Sequence, residues 1–306
     1  IKDQFTSSKK GNLIMKTKTV ALTHCYTDQN KGDAAIIQST IQLLRATDPS
    51  LNIELHSTFG PEDHRFASEH EFIKPLANAL YPAILYNPQR IKWFPHEFSR
   101  GIAFLIALFQ SLMLLISVNP VWVNLFARGT RAKGTIALAN ADLVISKGGS
   151  YLTAQNSSVR QAISLITMLY PFLFAVRYRR PCIIFSQSLG PVSGWWNRVM
   201  FHHILTKISK IYVRERLCIE QYESVRKLTN FIDTEVVPDT AFFFQPPKEN
   251  WVASKAYIDT LETFDSERLK IGITIVDHAF KYISEQPGRN MKTFTGKLSI
   301  YATFKI

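Results

Sequence analysis

Cysteine is scarce in this chain. Cys25, Cys182 and Cys218 are the whole set, odd in number, scattered, and without a CxxC pair. That excludes a disulfide framework and a cysteine zinc site, and it points to a reducing, cytoplasmic setting. His202-His203 has no carboxylate at metal-ligand spacing, so no metal centre is expected. Neither a GxxxxGK-S/T phosphate loop nor a GxSxG elbow occurs. There is no internal repeat, no low-complexity tract and no long run of Lys or Arg. Nucleic acid is therefore not an expected partner. His24 beside Cys25 has the residue types of a nucleophile pair. Neighbouring strand residues point to opposite faces, so the two side chains should diverge and catalysis by them is not expected.

What is present describes a packed globular protein. The 306 residues are enough for two ordinary domains, and 46% are hydrophobic against 20% charged. The net charge of +12 favours anionic ligands or an anionic membrane surface. The opening IKDQFTSSKKGNLI is polar, lacks the apolar core of a secretory signal, and precedes Met15. Residues 1–14 are read as a non-native or disordered leader. The far end, MKTFTGKLSIYATFKI, does not continue the preceding pattern. The chain is expected to be incomplete at both ends.

Periodicity organises the rest around Ala141 to Leu152, ADLVISKGGSYL. Leu143-Val144-Ile145 has the short β-branched pattern of a strand buried on both faces, and it runs into Gly148-Gly149. A polar stretch and then a helix from about Ser157 to Val176 are expected to follow. Upstream, Thr19 to Cys25 reads as a strand, Ala34 to Arg45 as a helix and Leu51 to Ser57 as a second strand, one right-handed βαβ unit. Gly60 to Arg100, with five prolines, reads as short helices and loops. Downstream, Pro181 to Gln187, Ile211 to Val213 and Thr234 to Val237 read as strands. Trp195 to Lys207 and Cys218 to Leu228 read as helices. This order implies a mostly parallel, doubly wound, Rossmann-like α/β sheet over residues 15–245. Pro246-Pro247 marks a boundary. Residues 246–306, with the strand pattern KIGITIVD at Lys270 to Asp277, read as a linker and the start of a second α/β domain.

Four strand ends carry candidate site residues, since ligands of such sheets bind outside the carboxyl ends of the strands. After the first strand come Asn30, Gly32 and Asp33. Asp33 caps the following helix, or the same N–H groups and Asn30 meet ligand oxygens. Gly148 and Gly149 make either a plain tight turn or a place where a ligand approaches the backbone. Gln187, Ser188 and Gly190, in QSLGP, turn the chain and expose polar groups at the sheet rim. Arg214 ends a buried strand; it forms a salt bridge with Glu215 or Asp239, or it grips a carboxylate or phosphate.

NKGDAA, ADLVISKGGSYL, QSLGP and VRER…VVPDTAF, in this order over Val20 to Phe244, resemble the polysaccharide pyruvyl transferase family. The resemblance implies a GT-B-like architecture of two Rossmann-like domains. It also implies transfer of a pyruvyl group from phosphoenolpyruvate to two sugar hydroxyls, as a ketal on a cell-surface or capsular glycan. Phosphoenolpyruvate is then the donor substrate, no cofactor is needed, and the partner is a glycan or lipid-linked saccharide acceptor. The proton donor would be a histidine or a carboxylic acid. The Arg-Leu-His-type motif of the family's second domain does not occur: the two Arg-Leu pairs are followed by Cys218 and Lys270. The chain is thus expected to lack part of the site. A glycosyltransferase of the same architecture using a nucleotide sugar, and a non-catalytic relative, are the alternatives.

Gly101 to Val118 is the most apolar segment, uncharged, with Gln110 near its middle. It is at the lower edge of bilayer-spanning length. Strands that must share one crevice flank it on both sides, so it is expected to touch the inner membrane face without crossing.

Overall fold

The computed structural model describes residues 17–28, 30–60, 78–79 and 96–245. The chain divides into two compact units, Ile1–Pro247 and Lys248–Ile306. The leader, most of the proline-rich stretch and the whole second α/β region lie outside the described residues.

The first unit is built on a parallel sheet. Its strands are β1 (Thr19–Cys25), β2 (Asn52–Ser57), β3 (Asn78–Ala79), β4 (Leu143–Ser146), β5 (Gly149–Ala154), β6 (Cys182–Val192), β7 (Lys210–Val213) and β8 (Thr234–Val236). Seven of them run in the order β3-β2-β1-β4-β6-β7-β8, and β5 pairs with β6 off this path. Every pairing is parallel. This is a Rossmann-like order, and it reverses direction between β1 and β4. Val20, Ala21, Leu22, Val144, Ile184 and Ile211 are buried, because helices cover a parallel sheet on both faces.

The helices are α1 (Lys31–Thr47), α2 (His96–Ile116), α3 (Pro120–Phe126), α4 (Gly129–Asn140), α5 (Val159–Arg177), α6 (Trp195–Leu205), α7 (Arg216–Gln221) and α8 (Glu223–Thr229). Two buried clusters result. One surrounds β4, β6 and α5, with Leu165, Phe172, Phe174 and Phe201; the other packs α1 on β1 through Ile37, Ile41 and Leu22.

Three expectations are corrected. The stretch after Gly148 is not a polar turn: Gly149–Ala154 forms β5, with Leu152 and Ala154 buried and their neighbours part-exposed. That alternation is a strand signal which the flanking glycines and serines obscure. The strand starting at Cys182 does not stop at Gln187 but runs on to Val192, because β5 offers it a further parallel edge. Cys218 to Leu228 is two helices, not one. Tyr222 between them is extended, at φ −105° and ψ 107°, and no Gly or Pro announces the break.

Candidate functional site

A cleft of about 370 Å³ opens at the carboxyl ends of β1 and β4, at the point where the strand order reverses. That is where parallel α/β sheets bind their ligands, because loops on either side diverge there. Of the residues read as candidates, Asn30, Gly32, Asp33, Gly149 and Arg214 line this cleft; Lys147, His24, Tyr26, Thr58 and Tyr151 join them.

The wall from α1 begins with Asn30. Its side-chain oxygen accepts a hydrogen bond from the Gly32 amide at 3.0 Å, so Asn30 is the N-cap. Asp33 is therefore not the cap. It sits in the first turn of α1, and its carboxylate pairs with the Lys147 ammonium. The Lys147 side chain is 1% exposed and that of Asp33 20%. Burying an ionic group this deeply is costly unless it is paired, and the Asp33 carboxylate is the partner.

Lys147 follows the last residue of β4 and precedes Gly148, in the same short stretch as the two glycines. A charge at the end of an apolar strand marks Lys147 in the sequence just as it marks Arg214. Gly148 has a packing reason for lacking a side chain: a Cβ there would lie 2.6 Å from the Ser186 carbonyl oxygen. At Gly149, φ is +155° and a Cβ would fall 2.9 Å from the Tyr151 ring.

Arg214 enters from the end of β7. Its Nε donates to Ser188 Oγ at 2.5 Å and its Nη1 to Asp239 Oδ2 at 2.7 Å; Glu215 Oε1 lies 3.2 Å from Nε. Both ion pairs expected as alternatives to ligand binding are thus formed. Nη2 has no partner among the described residues, and the residue still borders the cleft. Ser188 braces Arg214 against Glu215, its hydroxyl accepting from Nε and donating to Glu215 Oε1 at 3.0 Å.

Gln187, Ser188, Gly190 and Gly148 do not border the cleft. Gln187 is fully buried, its amide nitrogen donating to the Ser188 carbonyl and its oxygen without a partner. Gly190 takes φ +78°, with the Tyr222 ring 3.1 Å from where a Cβ would be.

The cleft floor is aromatic. His24 is buried and stacks on Tyr151 with ring centroids 4.6 Å apart. Its φ of +61° is in the left-handed region, a conformation that costs of order 1–3 kcal/mol and persists only where surroundings impose it. Here Nε2 lies 2.8 Å from the Met168 carbonyl, which can only accept, so Nε2 carries the proton. Nδ1 then accepts from Thr23 Oγ1 at 2.9 Å. Burial drives the His24 pKa down to about 3, with a smaller contribution from the Lys147 charge, against the Met168 bond. A neutral ring with both nitrogens engaged is a wall, not a proton donor at neutral pH.

Cys25 is buried with its thiol 3.4 Å from the Leu22 carbonyl, and burial pushes its pKa up to about 12. Burial raises the pKa of Cys182 and Cys218 too. None of the three is a ready nucleophile.

The fold and cleft define a Rossmann-like α/β protein in which a lysine and an arginine, each already paired with a carboxylate, stand at two strand ends beside a helix N-terminus. The family model of polysaccharide pyruvyl transferase matches residues 30–292, and the chain belongs to this transferase family. Comparison with curated proteins and with solved structures gave no match.

Proposed function

We propose that this protein transfers the pyruvyl group of phosphoenolpyruvate to two hydroxyls of a saccharide, forming a ketal and releasing phosphate, in the synthesis of a cell-surface or capsular polysaccharide. The observation that carries the reading is the convergence of Lys147, Arg214 and the α1 N-terminus on one cleft at the switch point, in a chain of this family.

The chemistry matches those residue types. Protonation of the donor methylene makes a methyl group and an oxocarbenium-like centre. One hydroxyl adds there and loses its proton. Phosphate departs with the C–O electron pair, and the second hydroxyl adds to the centre that reforms and loses its proton in turn. The donor's carboxylate and phosphate need fixed cations throughout, because positive groups already in place lower the cost of charge that moves in the transition state. Lys147 supplies a point charge, and Nη2 of Arg214, without a partner among the described residues, offers a donor on the same cleft. Tyr151 and His24 form an apolar platform beneath. The reaction needs no cofactor.

In this reading residues 246–306 are a linker and part of a second Rossmann-like domain of a GT-B arrangement, and the enzyme works in the cytoplasm on a glycan or lipid-linked acceptor. The test is to supply phosphoenolpyruvate with saccharide acceptors to the protein, following phosphate release and the ketal methyl signal by NMR. A parallel set of reactions supplies nucleotide sugars instead. Turnover of a nucleotide sugar, with phosphoenolpyruvate untouched, would replace this reading with a glycosyltransferase.

A further inference from the structure

On an ordinary surface helix the outward stripe is polar. On α2 it is not. Leu105, Phe109, Leu112 and Ile116 follow at i, i+4, i+7 and i+11, one face of the helix, and each is 49–62% exposed. Val121 and Leu125 extend the patch along α3, at 74% and 68%. Contiguous apolar surface of this kind marks a partner.

The inner side of α2 is already committed. Ala107 and Leu114 are buried, and Gln110 accepts from Arg131 at 3.0 Å. The hydroxyls of Tyr170 and Tyr178 donate to the carbonyls of Ser111 and Leu114 at 3.0 and 2.9 Å. A crossing helix would have to abandon these contacts. By length and apolarity α5 is the described helix that fits a span, yet Leu165, Phe172 and Phe174 on it are fully buried in the sheet core.

Charge identifies the partner. Between Glu97 and Glu215 the sequence holds one acidic residue, Asp142, and thirteen Lys or Arg. Arg128 and Lys133 are exposed just beyond α3, and Arg177 and Arg179 are exposed on either side of Tyr178, which touches α2. Trp122 is part-buried, and its indole N–H donates to the Met113 carbonyl at 2.8 Å, which ties α3 to α2. An apolar stripe with a cationic margin fits an anionic bilayer surface. It disfavours a second copy of this chain, whose own margin has the same sign.

We infer that the α2–α3 face docks peripherally on an anionic lipid membrane, the stripe seated among the acyl chains nearest the headgroups. The inference stands on this surface and not on the transferase reaction, so either can fail without the other.

The experiment is co-sedimentation of the whole chain with vesicles of phosphatidylcholine, alone or mixed equally with phosphatidylglycerol. Binding is expected to the mixed vesicles, weakened by high salt and released by alkaline carbonate. L105S/L112S/L125S should reduce partitioning about a hundredfold with the melting temperature unchanged, since three exposed leucines lose their burial in lipid. R128Q/K133Q/R177Q should reduce it about tenfold or more, and only on the anionic vesicles. The inference is overturned if the wild-type chain stays in the supernatant, or if the serine variant binds as well. Retention through carbonate would replace docking by insertion. Concentration-dependent dimerisation abolished by the serine changes, without vesicle binding, would make the face a self-contact.

Discussion

Breaking the Lys147–Asp33 pair from each side in turn tests whether the cleft's positive charge is held there by its partner. The pair joins residues 114 positions apart, and among the described residues the ammonium has no other partner. Removing one member of a buried pair leaves an uncompensated charge, typically at a cost of 3–5 kcal/mol. Asp33→Ala strands the lysine, whose side chain is 1% exposed. Because the aspartate itself is 20% exposed, the lower end applies, about 3 kcal/mol. In a unit of this size that lowers the melting temperature by roughly 6–12 °C. Lys147→Met strands only a partly solvated carboxylate and keeps the side-chain volume, so roughly 1–2 kcal/mol is expected. The double variant should come back to within about 1 kcal/mol of wild type, because an apolar group of similar volume replaces a buried ion pair at little cost. Calorimetry on the four proteins yields the coupling energy directly. Titration with phosphoenolpyruvate on the same preparations adds the functional half: Lys147→Met should weaken donor binding about ten- to a hundredfold, the worth of one charge-assisted hydrogen bond. The reasoning is refuted if Asp33→Ala melts with wild type, or if the losses of the two single variants simply add in the double.

Arg214→Lys keeps the charge but loses the fork that reaches both Ser188 and Asp239; donor affinity should fall about tenfold or more and the melting temperature by a few degrees, and unchanged affinity would remove Arg214 from the site. Gly148→Ala sets a methyl against the Ser186 carbonyl, so a loss of about 1–3 kcal/mol is expected by denaturant unfolding; an unaffected midpoint would show that the strands part easily there. His24 and His56 are buried with pKa values lowered to about 3 and about 4, so the unfolded chain takes up more protons than the folded one. Their contribution to stability is whole above about pH 6.5, falls as the pH drops through that value, and levels near 3–4. Melting temperatures measured from pH 7 to 4 should fall, less steeply in His24→Asn, which removes one titrating group; an identical slope in the variant would contradict the assignment.

Much of the fold was legible because its signals are local. β1, α1, β2, α5 and α6 follow from apolar runs and helical spacing within a dozen residues or so, and a parallel sheet buries such runs on both faces. Asn30, Gly32, Asp33, Gly149 and Arg214 could be picked out for a related reason: each sits where a buried strand stops, and strand order carries such ends to one rim. The break at Tyr222 was invisible, since no Gly or Pro marks it; in the fold Tyr222 is extended and its ring lies where a side chain at Gly190 would be.

The sequence alone determined most of the strands and helices, the family, and the chemical types of group at the strand ends, because these depend on residues near one another in the chain. Tertiary structure decided which groups meet. Lys147 and Asp33 pair because β1 lies beside β4 in the sheet, and Asp239 rather than open water faces Arg214 because β8 lies beside β7. It also decided which side of α2 is covered. A helix apolar on every face has no pattern to separate core from surface, so only the positions of Tyr170, Tyr178 and Arg131 against it could show that the stripe from Leu105 to Ile116 looks outward.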